Sequence, residues 1–522
     1  MRKPLRPNTA KRKVVGEPRT VLAPFKGWYT LEGDLQMPIG SAKLLDNFWP
    51  EADVVSLRKG SLAHVDGMPG RVETLMAYRT GSTAQLFAAS DGGIYDVSAA
   101  GTAAAPVVPR SVGRCAFTNF VGSGGQFLIV VNGADAPLKY DGTNWTGIAF
   151  SDGGPTNPND ISGVWSYRSR LYFLAKDSTK FYYLPADSIG GTLNTFDAGG
   201  SLSKGGKLIA GGRWTIDAGN GPDDACVVVS DQGEVLVYGG NNPGSANGWG
   251  LVGVYTTGKP IGPRCLINLG GDLCVLCEDG VQPLSTITKL DRSQQKRASA
   301  TSNIAKAFNE TLRQRGAGSD WGLYLWSKGT MLICNVPGVG GLTEQYAMNV
   351  QTGAWCRFKG LRATCWEEFE GAVYYGTNDG RVLKFWHGST DDGAPIDAVM
   401  VPAFNQLGYA GVKTLSHMRT DLKASYVAQL SIGVAVDFEI NLANVIGLDF
   451  GALSSQWDVS PWDTTPWADT DDLRRQAWQG VSGVGYAFAP VLTATTLDRG
   501  PNFELTFQAI AFVLVAANGG IL

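Results

Sequence analysis

Apolar and polar positions along this chain fall into short runs that alternate with a period of two or turn almost wholly apolar. Each run stops at a turn rich in Gly, Asp or Asn. The clearest is Gln85–Val97, QLFAASDGGIYDV: a strand, an Asp-Gly turn and a second strand ending in an aromatic. The same unit returns from Gln126, Arg170, Cys226, Leu273, Met331 and Val373. From Asp91 to Asp379 these make six steps of roughly 48 residues. A strand repeat of that length marks the blade of a β-propeller, a small sheet that cannot bury both faces alone and so stacks radially with its neighbours. Seven units at uneven spacing predict six to eight blades.

One segment departs from the strand pattern. In SATSNIAKAFNETLRQRG (Ser299–Gly316), Ile304, Phe308 and Leu312 recur every four residues. Ser302 is placed to cap the start, Arg313 and Arg315 suit the negative end of the dipole, and Gly316 can stop the helix. This predicts one short amphipathic helix inserted between blades, as a cover on the propeller or a partner-binding element. After the polar stretch His387–Asp397 the pattern is again β, with alternation over Ala428–Leu442 and a long apolar region, Pro501–Ala517, that has to be central or paired. The expected organisation is therefore all-β: a basic arm over residues 1–43, a propeller with its lead-in strand over 44–396, and a β-sandwich platform over 397–522.

Composition supports this. Of the 522 residues 68 are Gly, with 15 Trp, 17 Tyr and 21 Phe, which favours many short strands and tight turns. The formal net charge of −3 points to neither nucleic acid nor a membrane surface. The charge is unevenly spread. The first 26 residues carry eight bases against Glu17 alone, and from Asp397 onward there are 12 acids against 6 bases. No apolar run follows the basic start and no apolar stretch is long enough to span a membrane, so the expectation is a soluble protein made in a cytoplasm.

Candidate chemistry is thin. Cys274 and Cys277 form a C-x-x-C, but on a strand they point to opposite faces, and His64, His387 and His417 are isolated, so the eight cysteines read as buried thiols. Asp391-Asp392-Gly393 reads as a solvated turn more readily than as a cation site. The Asp-Gly turns have neither EF-hand spacing nor the Asp-box order of sialidase propellers. No nucleophile and base can be paired, and no cofactor is implied. Two segments suit assembly. The arm bearing Arg2, Lys3, Arg6, Lys11, Arg12 and Lys13 can dock on an acidic protein surface, trail as a solvated tail, or contact DNA. The segment Ser454–Asp472 spaces Trp457, Trp462 and Trp467 five apart, as interface anchors or as a loop packed on its own domain.

The order NFWPE, LRKGSLAHV, QLFAASDGGIYDV and VNGADAPLKYDGTNW between Asn47 and Trp145, with WDVSPWDTTPW near the C-terminus, resembles tail nozzle or hub proteins of short-tailed bacteriophages, including packaged-DNA stabilisation proteins. The resemblance implies a structural, non-enzymatic virion protein. Its members form a ring, usually of six copies, below the portal and its adaptor; the ring seals the channel, conducts genomic DNA during ejection and carries fibres or spikes. Assembly in the host cytoplasm is implied too. In some members the N-terminal segment packs with the C-terminal domain and the propeller is an insertion, so Leu44–Val65 would be the strand leading from platform to propeller. The rival expectations are a carbohydrate-active propeller, glycosidase or depolymerase, with paired carboxylates in a cleft, and a sugar-binding adhesin.

Overall fold

The computed structural model describes residues 17–518 apart from 82, 218–221, 246, 339–342, 409, 425–428, 443–444, 448–472, 497–504 and 509–511. Two compact units divide the chain. One runs Arg58–Ile396; the other combines Met1–Leu57 with the C-terminal segments from Asp397.

The first unit is a seven-bladed β-propeller. Successive antiparallel blades begin with the strands Thr74–Arg79, Ala116–Gly122, Ile161–Tyr167, Leu208–Asp217, Leu266–Leu269, Gly322–Trp326 and Ala363–Phe369. Each of these first strands touches its counterpart in the next blade, and the seventh touches the first, so the ring is closed. The seam is made by the chain's own early strand: Ser61–Asp66 pairs antiparallel with Val382–Phe385 and completes the last blade. All seven hairpins expected from the pattern are present, within the expected range of blades.

Parity explains why the second strands read as nearly continuous apolar runs. In Gly125–Val131, Leu128 and Val130 pack with Met76, Tyr78 and Phe87 of the first blade, while Phe127, Ile129 and Val131 pack with Leu171 and Phe173 of the third. Valines of the fourth blade divide in the same way. Val228 faces the third blade's Tyr172 and Leu174, whereas Val227 and Val229 face Val275 and Cys277 of the fifth. Both faces of each blade are buried, and each such side chain contributes about 1.5–3 kcal/mol.

The fifth blade departs from the pattern: it has three strands, the last being Gly280–Pro283. Three helices follow, α1 (Leu284–Ile287), α2 (Arg292–Ala298) and α3 (Ala305–Arg315), in place of the single helix expected. The first two are too short and too polar to show a helical period. Buried Gln295 anchors α2 by donating to Thr256 O (3.1 Å) and Leu290 O (2.9 Å). α3 buries Phe308 against Trp321 and ends at Gly316, whose φ of 74° and N–H to Leu312 O stop the helix as expected. Ser302 does not cap it: it opens a 3₁₀ turn, Ser302–Ile304, ahead of α3.

The second unit contains two antiparallel sheets. One orders Glu17–Val21, Phe512–Asn518, Lys413–Ala424, Leu505–Gln508, Val54–Leu57 and Phe48–Pro50, with Leu473–Gly485 on the other side of Lys413–Ala424. The other carries Ala42–Asp46, Asp397–Pro402, Phe488–Thr495, Gln429–Val436 and Val445–Gly447. The apolar end region is two strands, and Phe512–Asn518 is paired on both sides.

This moves the expected boundaries. Residues 17–43 are not a separate arm, because Glu17–Val21 pairs with Phe512–Asn518 and Ala23 and Trp28 are buried. Leu44–Val65 is not one lead-in strand either. It is cut by Asn47, at φ 59°, whose Nδ2 donates to Asp397 O (2.7 Å), and by the step at Leu57. Ala42–Asp46 pairs with Asp397–Pro402 and Val54–Leu57 with Leu505–Gln508, so the division falls at Leu57/Arg58 rather than at 43/44.

Candidate functional site

The propeller axis gathers a cluster of polar side chains from several blades. Three cavities of 320, 390 and 180 Å³ lie along it. Their share of the second blade's first strand climbs from Cys115–Phe117 through Phe117–Thr118 to Asn119–Val121, so they occupy successive heights.

One end is braced across the axis. Arg264, just before the fifth blade, sends Nη2 to Glu73 O (2.9 Å) and to Thr74 Oγ1 (2.7 Å) of the first blade. Arg114, before the second blade, donates Nη2 to Asp320 Oδ1 (2.9 Å), ahead of the sixth, and weakly to Glu73 Oε1 (3.4 Å). Arg71 lies 3.0 Å from the same Asp320 oxygen. Burial alone would raise the Asp320 carboxyl, but the two guanidiniums hold it below the usual range. Thr74 Oγ1 also donates to Gly113 O and accepts from Cys115 N, both at 2.9 Å, so one hydroxyl ties blades one, two and five. Burial lowers the pKa of Arg264, and neighbouring Arg114 adds to that.

Beneath this brace the 320 Å³ cavity is lined by Arg264, Tyr324, Asn335, Trp366 and Glu367 among others. Tyr324 and Trp366 stack at 6.2 Å and 21°. Trp366 Nε1 donates to Asn335 Oδ1 (2.8 Å), fixing that ring. Glu367 is 14% exposed and accepts from half-exposed Arg79 at 2.8 Å. Burial pushes its carboxyl up to about 8, against the opposing pull of Arg79.

The residues singled out from sequence fare differently. Arg2, Lys3, Arg6, Lys11, Arg12 and Lys13, and likewise Trp457, Trp462 and Trp467, lie outside the described residues. Cys274 and Cys277 are buried on one strand; Cys277 faces the fourth blade with Leu273 and Val275, Cys274 does not, and burial raises their thiols to about 12 and about 11. No group of three potential metal-ligating side chains occurs among the described residues. Asp391 and Asp392 are arginine acceptors rather than a solvated turn. Asp391 takes both terminal nitrogens of buried Arg58, one at 2.9 Å, and Ser61 Oγ at 2.9 Å; Asp392 takes Arg381 Nη1 at 2.6 Å.

The axial cluster was missed because it is scattered over blades far apart in sequence. A signal did exist: Arg114-Cys115 and Arg264-Cys265 stand at the same place in two repeats, just before a first strand, each with a buried Cys.

No protein-family model and no curated protein matches the sequence. Among solved structures, YCF48 from Cyanidioschyzon merolae aligns over 61% of this chain and 97% of its own at 13% identity and a TM-score of 0.38. The WD40 β-propeller domain of Doa1 aligns over 63% and 96% at 9% identity and a TM-score of 0.37. The computationally designed protein Ika8 aligns over 62% and 99% at 11% identity and a TM-score of 0.36. Likenesses this distant carry no functional argument; the propeller assignment stands on the closed ring of blades. No helix among the described residues is long and apolar enough to cross a membrane.

Proposed function

We propose that this is a structural virion protein: the ring-forming nozzle or hub of a short-tailed phage tail. It would sit below the portal–adaptor, usually as six copies, carry fibres or spikes, seal the channel and pass genomic DNA during ejection, after assembly in the host cytoplasm. The observation that carries the reading is the insertion of the whole propeller, Arg58–Ile396, into a β-platform built from the chain's two ends. That organisation is the one the sequence resemblance implies.

A second observation constrains the mechanism. The axial cavities are of small-molecule size and one end is cross-braced by arginines, so a duplex has no path through the propeller's own axis. On this reading the conduit lies between copies, and subunits close into a ring by heterologous contacts. The near-neutral chain suits passage, since fixed cations along a bore would hold phosphates in a salt-sensitive grip. The reading assigns no catalysis to the chain.

Mass photometry and low-resolution electron microscopy of the purified protein, alone and with portal–adaptor complexes, test this. The expected result is a closed ring, alone or formed on the portal. A stable monomer that ignores the portal complex refutes it.

A further inference from the structure

The 320 Å³ axial cavity carries features that a merely structural plug does not need. Arg71 and Arg114 share Asp320, but Arg264 has no acid partner, and both its protein hydrogen bonds come from Nη2. Its Nε and Nη1 donors have no hydrogen-bond partner among the described residues, and the side chain lines the cavity. A guanidinium held out of bulk water with open donors is a seat for one planar monoanion. Across the same cavity the Tyr324–Trp366 stack supplies a flat apolar wall, and the Tyr324 hydroxyl has no hydrogen-bond partner either. Glu367 completes the lining.

We propose that this cavity binds an acidic monosaccharide unit, its carboxylate on Arg264, its C–H face against the Tyr324–Trp366 wall and its hydroxyls toward Tyr324 Oη and Glu367. A single carboxylate fits better than a dianionic phosphate, because one guanidinium is left over once Arg71 and Arg114 are counted against Asp320 and Glu73. A purely aliphatic acid would leave Tyr324 Oη without a partner. Burial pushes the Glu367 carboxyl up and its charge is met by Arg79, so it sets little uncompensated negative charge beside the ligand. The proposal does not depend on the ring-forming role.

The test uses the full-length protein and isothermal titration with glucuronate, galacturonate and N-acetylneuraminate, each paired with its methyl ester. At least one acid is expected to bind, its ester about tenfold to a hundredfold more weakly, the usual worth of a charge-assisted contact. Arg264→Gln should reproduce the ester's loss. Tyr324→Phe, which keeps the ring and the wall, should weaken binding about threefold to tenfold with unchanged thermal unfolding. If no acid binds at millimolar concentration, or acids and esters bind alike, the proposal is overturned. Equal affinity of Tyr324→Phe and the parent for the acid that binds overturns the assigned pose.

Discussion

The seam of the propeller depends on one buried ion pair, and removing its acid should unfasten it. Arg58, whose side chain is wholly buried, meets both oxygens of Asp391, itself 13% exposed. Asp391 also takes Ser61 Oγ, and Ser61 Oγ takes Tyr375 Oη at 2.8 Å, so the pair pins the start of the closing strand to the seventh blade. The space is tight, since a Cβ on Gly60 would lie 1.9 Å from Thr390 O. Asp391→Ala strips the carboxylate from a guanidinium that cannot return to water, a change that costs about 3–5 kcal/mol. Unfolding entropy of about 2.1 cal/mol/K per residue over a unit of roughly 340 residues gives about 0.7 kcal/mol per degree. The transition of the propeller should therefore fall by about 4–7 °C in differential scanning calorimetry. Arg58→Met/Asp391→Ala, which removes both charges, should recover at least half of that. A shift below about 1 °C for Asp391→Ala, or a double variant no better than the single, would show that the seam is held by strand pairing alone.

Glu367 should make stability fall as pH rises. Its folded pKa of about 8 lies above the ordinary 4.5, so the native state keeps a proton that the unfolded state has lost, and each pH unit from about 4.5 to about 8 costs up to about 1.4 kcal/mol. Glu367→Gln should flatten that slope in urea titrations run across the window. Glu234 should act in the opposite sense. It is buried and accepts from Ser203 N (3.0 Å), Ser203 Oγ (2.5 Å) and Lys204 N (2.9 Å), which hold its carboxyl below 4.5 although burial opposes them. Its contribution is thus present above 4.5 and lost as pH falls through the folded value, and Glu234→Ala should cost roughly 2–4 kcal/mol at pH 7 by urea denaturation. Gly380, in the Asp-Gly turn of the last hairpin, has φ 74° and room for no Cβ, the nearest atom being Met68 O at 1.9 Å. Gly380→Ala should therefore destabilise by more than about 2 kcal/mol in the same assay, and an unchanged midpoint would contradict the turn assignment.

The hairpins were legible because local chemistry specifies them. Asp-Gly and Asn-Gly turns need positive φ, as at Gly92 (84°) and Gly380, and strands buried on both faces have no polar side to disguise them. The N-terminal end of the domain division was not legible from the local pattern, because pairing between Ala42–Asp46 and Asp397–Pro402, or between Glu17–Val21 and Phe512–Asn518, leaves no trace within a local window. α2 was hidden for a different reason: RSQQKRA has no apolar stripe, its buried face being the single amide of Gln295. The axial site combines both difficulties. Arg264, Asp320 and Glu367 look like ordinary loop and strand residues until seven first strands converge on one line.

The two seams have a consequence for synthesis. Ser61–Asp66 is made early, yet its partner Val382–Phe385 leaves the ribosome roughly 320 residues later, a delay on the order of 20–60 s at about 5–20 residues per second. Glu17–Val21 waits longer still, for Phe512–Asn518. A nascent chain cut short at any point before Val382 has an open ring of blades, and one cut before Phe512 lacks the partner of its first strand. Synthesis through Phe385 is thereby a precondition for closing the propeller, and synthesis through Phe512–Asn518 for pairing the first strand, so products cut short of those points are excluded from any assembly that recognises the closed form.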